Sequence, residues 1–207
     1  LLLGRNGAGK TTTLRTIMGL WQASQGRITF QGEDITAMHT PQIAQKNIAY
    51  VPENMGIFAD LTVKENMLLA ARQAGHASQM DEQRLQWIFG LFPAVQKFWN
   101  HPAGKLSGGQ KQMLAVSRAI VEPRDLLIVD EPSKGLAPAI IQNMIDAFQQ
   151  LKASGVTILL VEQNINFARQ LGDTVAVMDN GRVVHAGTMQ ALAEDEALQQ
   201  SLLGLAL

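Results

Sequence analysis

Apolar residues in this chain fall into short continuous runs separated by longer stretches with helical spacing. The opening run Leu1-Leu2-Leu3 reads as a buried strand, and residues 11–20 follow as a helix with Leu14, Ile17, Met18 and Trp21 on one face. Trp21 is therefore expected in the core. An alternating segment between Gly26 and Gly32 reads as one short strand, and Thr40-Pro41 opens a helix with proline at a permitted early position. Residues 48–51 form a buried strand that stops at Pro52. From Glu53 to about Glu122 the pattern turns to helices with polar linkers, over 63–71, 82–92 and a long stretch after Ser107. Trp87, Ile88, Leu91 and Phe92 repeat at helical spacing and are assigned to the core, although so apolar an arm also suits a partner-docking groove.

Beyond that arm, residues 126–129 are continuously apolar and end in Asp130-Glu131, as expected of a central strand covered on both faces. Residues 138–151 read as a helix, Gly155 breaks it, and 156–161 form another buried strand. Asp179-Asn180-Gly181 between 174–178 and 183–186 is a hairpin signal, because Asn-Gly suits the primed turns. Residues 192–203 close the chain in one or two helices. The alternation predicts an α/β fold with a mixed, mainly parallel sheet and an inserted helical subdomain. The expected layout is a single domain over 1–207, with core segments 1–52 and 123–207 and a helical subdomain at 53–122. Because the chain starts inside a strand, it is expected to be incomplete at its N-terminus.

Composition narrows the chemistry. A chain of 207 residues with 46% hydrophobic content supports a sizeable core, and a net charge of -1 gives no reason to expect a nucleic-acid partner. The absence of cysteine excludes a disulfide framework and thiolate-held metals. His39, His76, His101 and His185 are dispersed without metal-ligand spacing, and the nine methionines read as core filler. No apolar run is long enough to cross a bilayer, so any membrane role would go through a partner.

The candidate chemistry begins at Gly4-Arg5-Asn6-Gly7-Ala8-Gly9-Lys10-Thr11-Thr12, between the first strand and the first helix. Glycines at 4, 7 and 9 let successive N–H groups face an anion, and the helix adds its positive end. Lys10 would reach the β- and γ-phosphates of a nucleotide, and Thr11 would ligate Mg²⁺, as in the P-loop NTPase core. Such a site needs a carboxylate on a neighbouring strand, and Asp130 fits as a metal ligand. Glu131, one residue further, is placed to act as general base on a water. Leu106-Ser107-Gly108-Gly109-Gln110 stands before a helix near Lys111, where Ser107 can cap it and the glycines allow a phosphate close approach.

That last motif, following a phosphate loop in this order, resembles the signature of the ATP-binding cassette (ABC) ATPases, and the resemblance runs the length of the chain. It implies ATP and Mg²⁺ as cofactors, ATP hydrolysis, and a head-to-tail dimer with a second ABC ATPase subunit, identical or paralogous. In such a dimer Ser107, Gly108, Gly109 and Gln110 close on nucleotide bound to the other chain. Tyr50-Val51-Pro52-Glu53 falls at the family's Q-loop with Glu53 in place of glutamine, which puts Glu53 beside the nucleotide and its metal. Ser133-Lys134-Gly135-Leu136-Ala137 falls at the D-loop, with Ala137 where an acidic residue is common. Val161-Glu162-Gln163 falls at the switch position, making Gln163 a catalytic candidate, with Lys10 and Glu131, where most members have histidine. The runs at Glu131 to Pro138 and Val161 to Asn164, with Leu202-Leu203-Gly204, look like the branch that serves branched-chain amino-acid importers. The resemblance implies integral-membrane permease partners and a cytoplasmic position on the inner membrane face. The alternatives are a soluble ABC protein acting on ribosomes or nucleic acid, a nucleotide-gated scaffold, and an importer subunit serving urea, amides or other amino acids.

Overall fold

The computed structural model describes residues 1–71 and 80–204. Its main sheet contains β1 (Leu2–Gly4), β4 (Ile48–Val51), β5 (Leu126–Asp130), β6 (Thr157–Glu162), β7 (Thr174–Asp179) and β8 (Arg182–Thr188), in the order β4-β5-β6-β1-β7-β8. The first five strands run parallel, and β8 returns antiparallel to β7 across the expected Asn180-Gly181 turn. The sheet is thus mixed and mainly parallel, as the alternation predicted.

Neighbouring residues on the strands serve opposite layers. On β5, Leu127 and Val129 join the core under the helices of the inserted arm, while Ile128 packs with Leu14, Met18 and Ile43 on the other face. This is the two-residue period of a strand buried on both sides. The second layer belongs to α1 (Lys10–Ile17) and α2 (Thr40–Ala44), the latter with proline in its first turn. The first layer holds α3 (Val63–Ala70), α4 (Glu82–Leu91), α5 (Pro93–Lys97), α6 (Gly108–Ala119), α7 (Pro138–Ala153) and α8 (Ile165–Leu171). The closing stretch is two helices, α9 (Met189–Glu194) and α10 (Glu196–Leu203), which pack on Leu3, Val175 and Val177.

Three expectations change. The segment between Gly26 and Gly32 is half of a small hairpin, β2 (Thr29–Phe30) with β3 (Glu33–Asp34), because the chain reverses at Gln31-Gly32 with both residues at positive φ. A separate short helix, α5, follows α4 because Pro93 stops one helix and starts the next. Trp21 is not in the core but 48% exposed. Helix α1 ends at Ile17, and Gly19 takes φ 69° close under the Met38 carbonyl, so the chain leaves the helical path before Trp21. Its ring instead lies beneath the Arg15 guanidinium, 5.3 Å away. Ile88, Leu91 and Phe92 are buried as expected, with Trp87 packed partly against them.

Phe148 on α7 and Phe167 on α8 are each 1% exposed and meet edge to face at 6.3 Å beneath the sheet. Phe148→Ala should cost about 3–5 kcal/mol through lost burial and the cavity left behind, measured as a lower urea midpoint at unchanged slope.

Candidate functional site

The C-terminal ends of the parallel strands carry nearly every residue singled out for chemistry, which is where open α/β sheets place ligands. Strand β1 ends at Gly4, and a side chain there would come within 2.6 Å of the Met178 carbonyl on β7. Gly4 is therefore required for packing rather than for the turn. The turn lies further on, with φ 79° at Gly7 and 102° at Gly9, immediately before α1. Arg5, Asn6, Gly7 and Thr12 are exposed around the loop, whereas Ala8 and Lys10 are buried. The Lys10 ammonium donates to the carbonyls of Gly4 (2.7 Å) and Arg5 (2.9 Å) and lies 3.4 Å from the Glu131 carboxylate.

The structure brings Thr11 and Asp130 together: the hydroxyl donates to Oδ2 at 2.9 Å. Oδ1 of Asp130 is buried and has no hydrogen-bond partner among the described residues. Burial pushes the Asp130 carboxyl above the usual carboxylate range, only partly opposed by the Thr11 hydrogen bond. A divalent cation would reverse that penalty, and the oxygens of Thr11 and Asp130 are the hard ligands Mg²⁺ takes. The residues present fit the ion.

Glu131 follows with φ 48°, in the left-handed region that costs a non-glycine residue about 1–3 kcal/mol. Its amide donates to the Val161 carbonyl, so strand pairing continues one residue past β5 while the side chain is redirected. Oε1 faces Lys10 and Oε2 lies 3.8 Å from Lys134. Lys134 also forms an ion pair and hydrogen bond with Glu53, a partner the sequence did not suggest. Glu53 thus stands within the same charged cluster, with its carboxylate turned to an ammonium.

Gln163 is exposed directly after β6. The helix that follows is capped by Asn164, whose side chain accepts from the amides of Asn166 and Phe167, so Gln163 has no capping task. The Ser107 stretch lies at the start of α6, where Ser107 and Gln110 bond reciprocally in a capping box. Its two glycines differ. A side chain at Gly109 would meet Ile140 of α7 at 2.6 Å, whereas one at Gly108 would meet nothing within 4 Å among the described residues.

The ABC transporter family profile matches residues 1–134. The chain belongs to the ABC transporter ATPases. The high-affinity branched-chain amino acid transport ATP-binding protein BraG of Pseudomonas aeruginosa is 41% identical, over 98% of this chain and 86% of that protein. The probable branched-chain amino acid transport ATP-binding protein LivF of Archaeoglobus fulgidus is 35% identical over 99% and 86%. Among solved structures, an ATP-binding cassette of an ABC transporter in its ADP conformation superposes with TM-score 0.79 at 25% identity, covering 99% of this chain and 87% of that one. A dimeric cassette in a post-hydrolysis state with ADP and Pi shares the fold, with TM-score 0.79 at 22% identity over 91% and 84%. The ABC ATPase fold therefore accounts for both the strand order and the loop between β1 and α1.

Sequence reading missed Lys134 and Glu162. Lys134 was visible only as one position inside the D-loop, and no pattern along the chain joins it to Glu53. Among the described residues no group of three or more histidine or acidic side chains is poised to hold a metal, and His76 lies outside them.

The capping assignment has a direct check. Asn164→Ala should lower stability by about 1 kcal/mol through loss of the cap, and Gln163→Ala should stay within about 0.5 kcal/mol of the parent. Thermal unfolding of the two variants side by side reads the difference.

Proposed function

We propose that this chain is the ATP-hydrolysing subunit of an ABC importer for branched-chain amino acids. The observation that carries the reading is the convergence of Lys10, Thr11, Asp130 and Glu131 at the ends of β1 and β5. The cargo class follows from BraG and LivF, both named for branched-chain amino acid transport.

In this reading the amides from Gly4 to Thr12 cradle the phosphates of ATP, and Lys10 exchanges its two carbonyl partners for them. That exchange frees Glu131 from its nearest ammonium. The carboxylate then takes the proton of the attacking water, and the Gln163 amide holds that water by hydrogen bonding. Thr11, Asp130 and, once parted from Lys134, Glu53 would hold Mg²⁺, which would supply positive charge against the β- and γ-phosphates. A second ABC subunit contributes Ser107, Gly108, Gly109 and Gln110 from outside, with open space over Gly108 for the approach. ATP thus favours the closed pair by binding it better than the open one.

The division into a core at 1–52 and 123–207 and a helical subdomain at 53–122 gives this closure two parts to move. Between them lies a groove of about 940 Å³, with Leu20, Trp21 and Leu69 on its lining. All three are exposed, at 51%, 48% and 58%, and we assign this face to the membrane permease at the inner surface of the membrane. No helix among the described residues is long and apolar enough to cross a membrane.

Glu131→Gln should retain ATP binding while hydrolysis slows by roughly two to four orders of magnitude. With ATP and Mg²⁺ the variant should then run as a dimer by light scattering, and a strictly monomeric variant at saturating nucleotide would contradict the closure. Asp130→Asn should reduce the gain in ATP affinity that Mg²⁺ gives over EDTA, read by equilibrium binding without turnover. For the permease face, Leu69→Glu should lower recovery of permease subunits with the tagged chain by roughly tenfold, and ATP affinity should stay within about twofold. Transport assays with leucine, isoleucine and valine against urea and amides test the cargo.

A further inference from the structure

Glu162 is a buried acid that the mechanism above does not use. It closes β6, is 1% exposed, and among the described residues has no ammonium or guanidinium within salt-bridge distance. Its charge is met by backbone amides and by the Ser133 side chain instead. Oε1 accepts the amide of Ser133 at 3.0 Å, and Oε2 accepts those of Gln163 and Asn164, each at 3.2 Å.

The three amides belong to two different loops, and the Ser133 side chain adds to the first. Ser133 lies two residues beyond Glu131, in a turn closed by the Lys134 amide on the Glu131 carbonyl and the Leu136 amide on the Ser133 carbonyl. Gln163 and Asn164 connect β6 to α8. One carboxylate therefore ties the loop carrying Glu131 to the loop carrying Gln163. The arrangement costs the protein something, since burial pushes the Glu162 carboxyl above its ordinary range despite the amides that pull it down. A neutral filler would avoid that cost, but only an ionised carboxylate offers acceptors alone on both oxygens.

We infer that Glu162 is a positioning residue that holds these two loops as one unit, so that Glu131 and Gln163 keep a fixed relation. In this role it acts through the loop groups it holds, the three amides and the Ser133 side chain.

Glu162→Gln makes the test, because it keeps the shape and replaces one oxygen with an NH₂ that cannot accept. Whichever way the amide turns, one of the two loops loses its acceptor. In amide hydrogen exchange at least one set, Ser133 or Gln163 with Asn164, should exchange about tenfold faster, with β5 and α7 unchanged. In turnover, kcat should fall about tenfold while ATP affinity stays within about twofold, since the phosphate loop hangs from β1. The kinetic arm rests on the hydrolysis reading and the exchange arm does not, so an exchange change without a kcat change would fault that reading rather than the tether. Unchanged exchange at all three amides overturns the inference, as does faster exchange spread evenly over the sheet, which marks a merely structural role. Should the glutamine variant not fold, Glu162→Asp, ionised but one methylene short, is measured the same way. Loosening confined to the two loops supports the inference, and exchange equal to the parent overturns it.

Discussion

The hydrogen bond from Thr11 to Asp130 joins residues 119 positions apart, and the arrangement of the site depends on it. It can form only because β5 and β1 flank β6, so that the first helix starts at the end of the sheet where the fifth strand finishes. The bond satisfies one oxygen of a desolvated carboxylate and leaves the other buried without a donor. A buried acceptor left in this way destabilises an isolated chain and suits one that receives a cation. Stability and ligand binding are opposed at Asp130, as expected where a fold is shaped for a guest.

Charge around that bond is arranged in sequence. Lys10 stands against one oxygen of Glu131 and Lys134 near the other, with Glu53 on the far side of Lys134. Glu131 and Glu53 thus share the Lys134 ammonium, whereas Asp130 has both of these acids acting on it as like charges, which adds to the upward push on its carboxyl. The charge of a nucleotide triphosphate entering here would compete with the acids for the Lys10 and Lys134 ammonium groups. The strained backbone at Glu131 is held by the Val161 carbonyl on one side and by the anchored turn after Ser133 on the other.

Much of the frame was legible because burial writes itself into residue type. The runs that became β4, β5 and β6 are apolar on both faces, and Pro138 and Asn180-Gly181 mark a helix start and a turn by backbone chemistry alone. The phosphate loop, the acids after β5 and the signature stretch were found as local patterns, and the structure brings the first two together while leaving the third at the start of α6. What could not be read depended on tertiary position. Trp21 continued a helical period, but Gly19 had already ended the helix. Gly4 looked like a turn residue and proved to be a spacer under Met178. Lys134 and Glu162 act across strands, and their partners lie 81 and 29 residues away along the chain.

Gly108 and Gly109 are chemically identical neighbours, yet they answer to different constraints. Ile140 fills the space beside the second, so position 109 is fixed by the interior of its own chain. No described residue fills the space beside the first, so the described part of the chain sets no steric limit at position 108. If the proposed second subunit is what closes over Gly108, a lineage that lost it would be free to drift at 108 while 109 stayed glycine, and the pair would become a record of whether the association still exists.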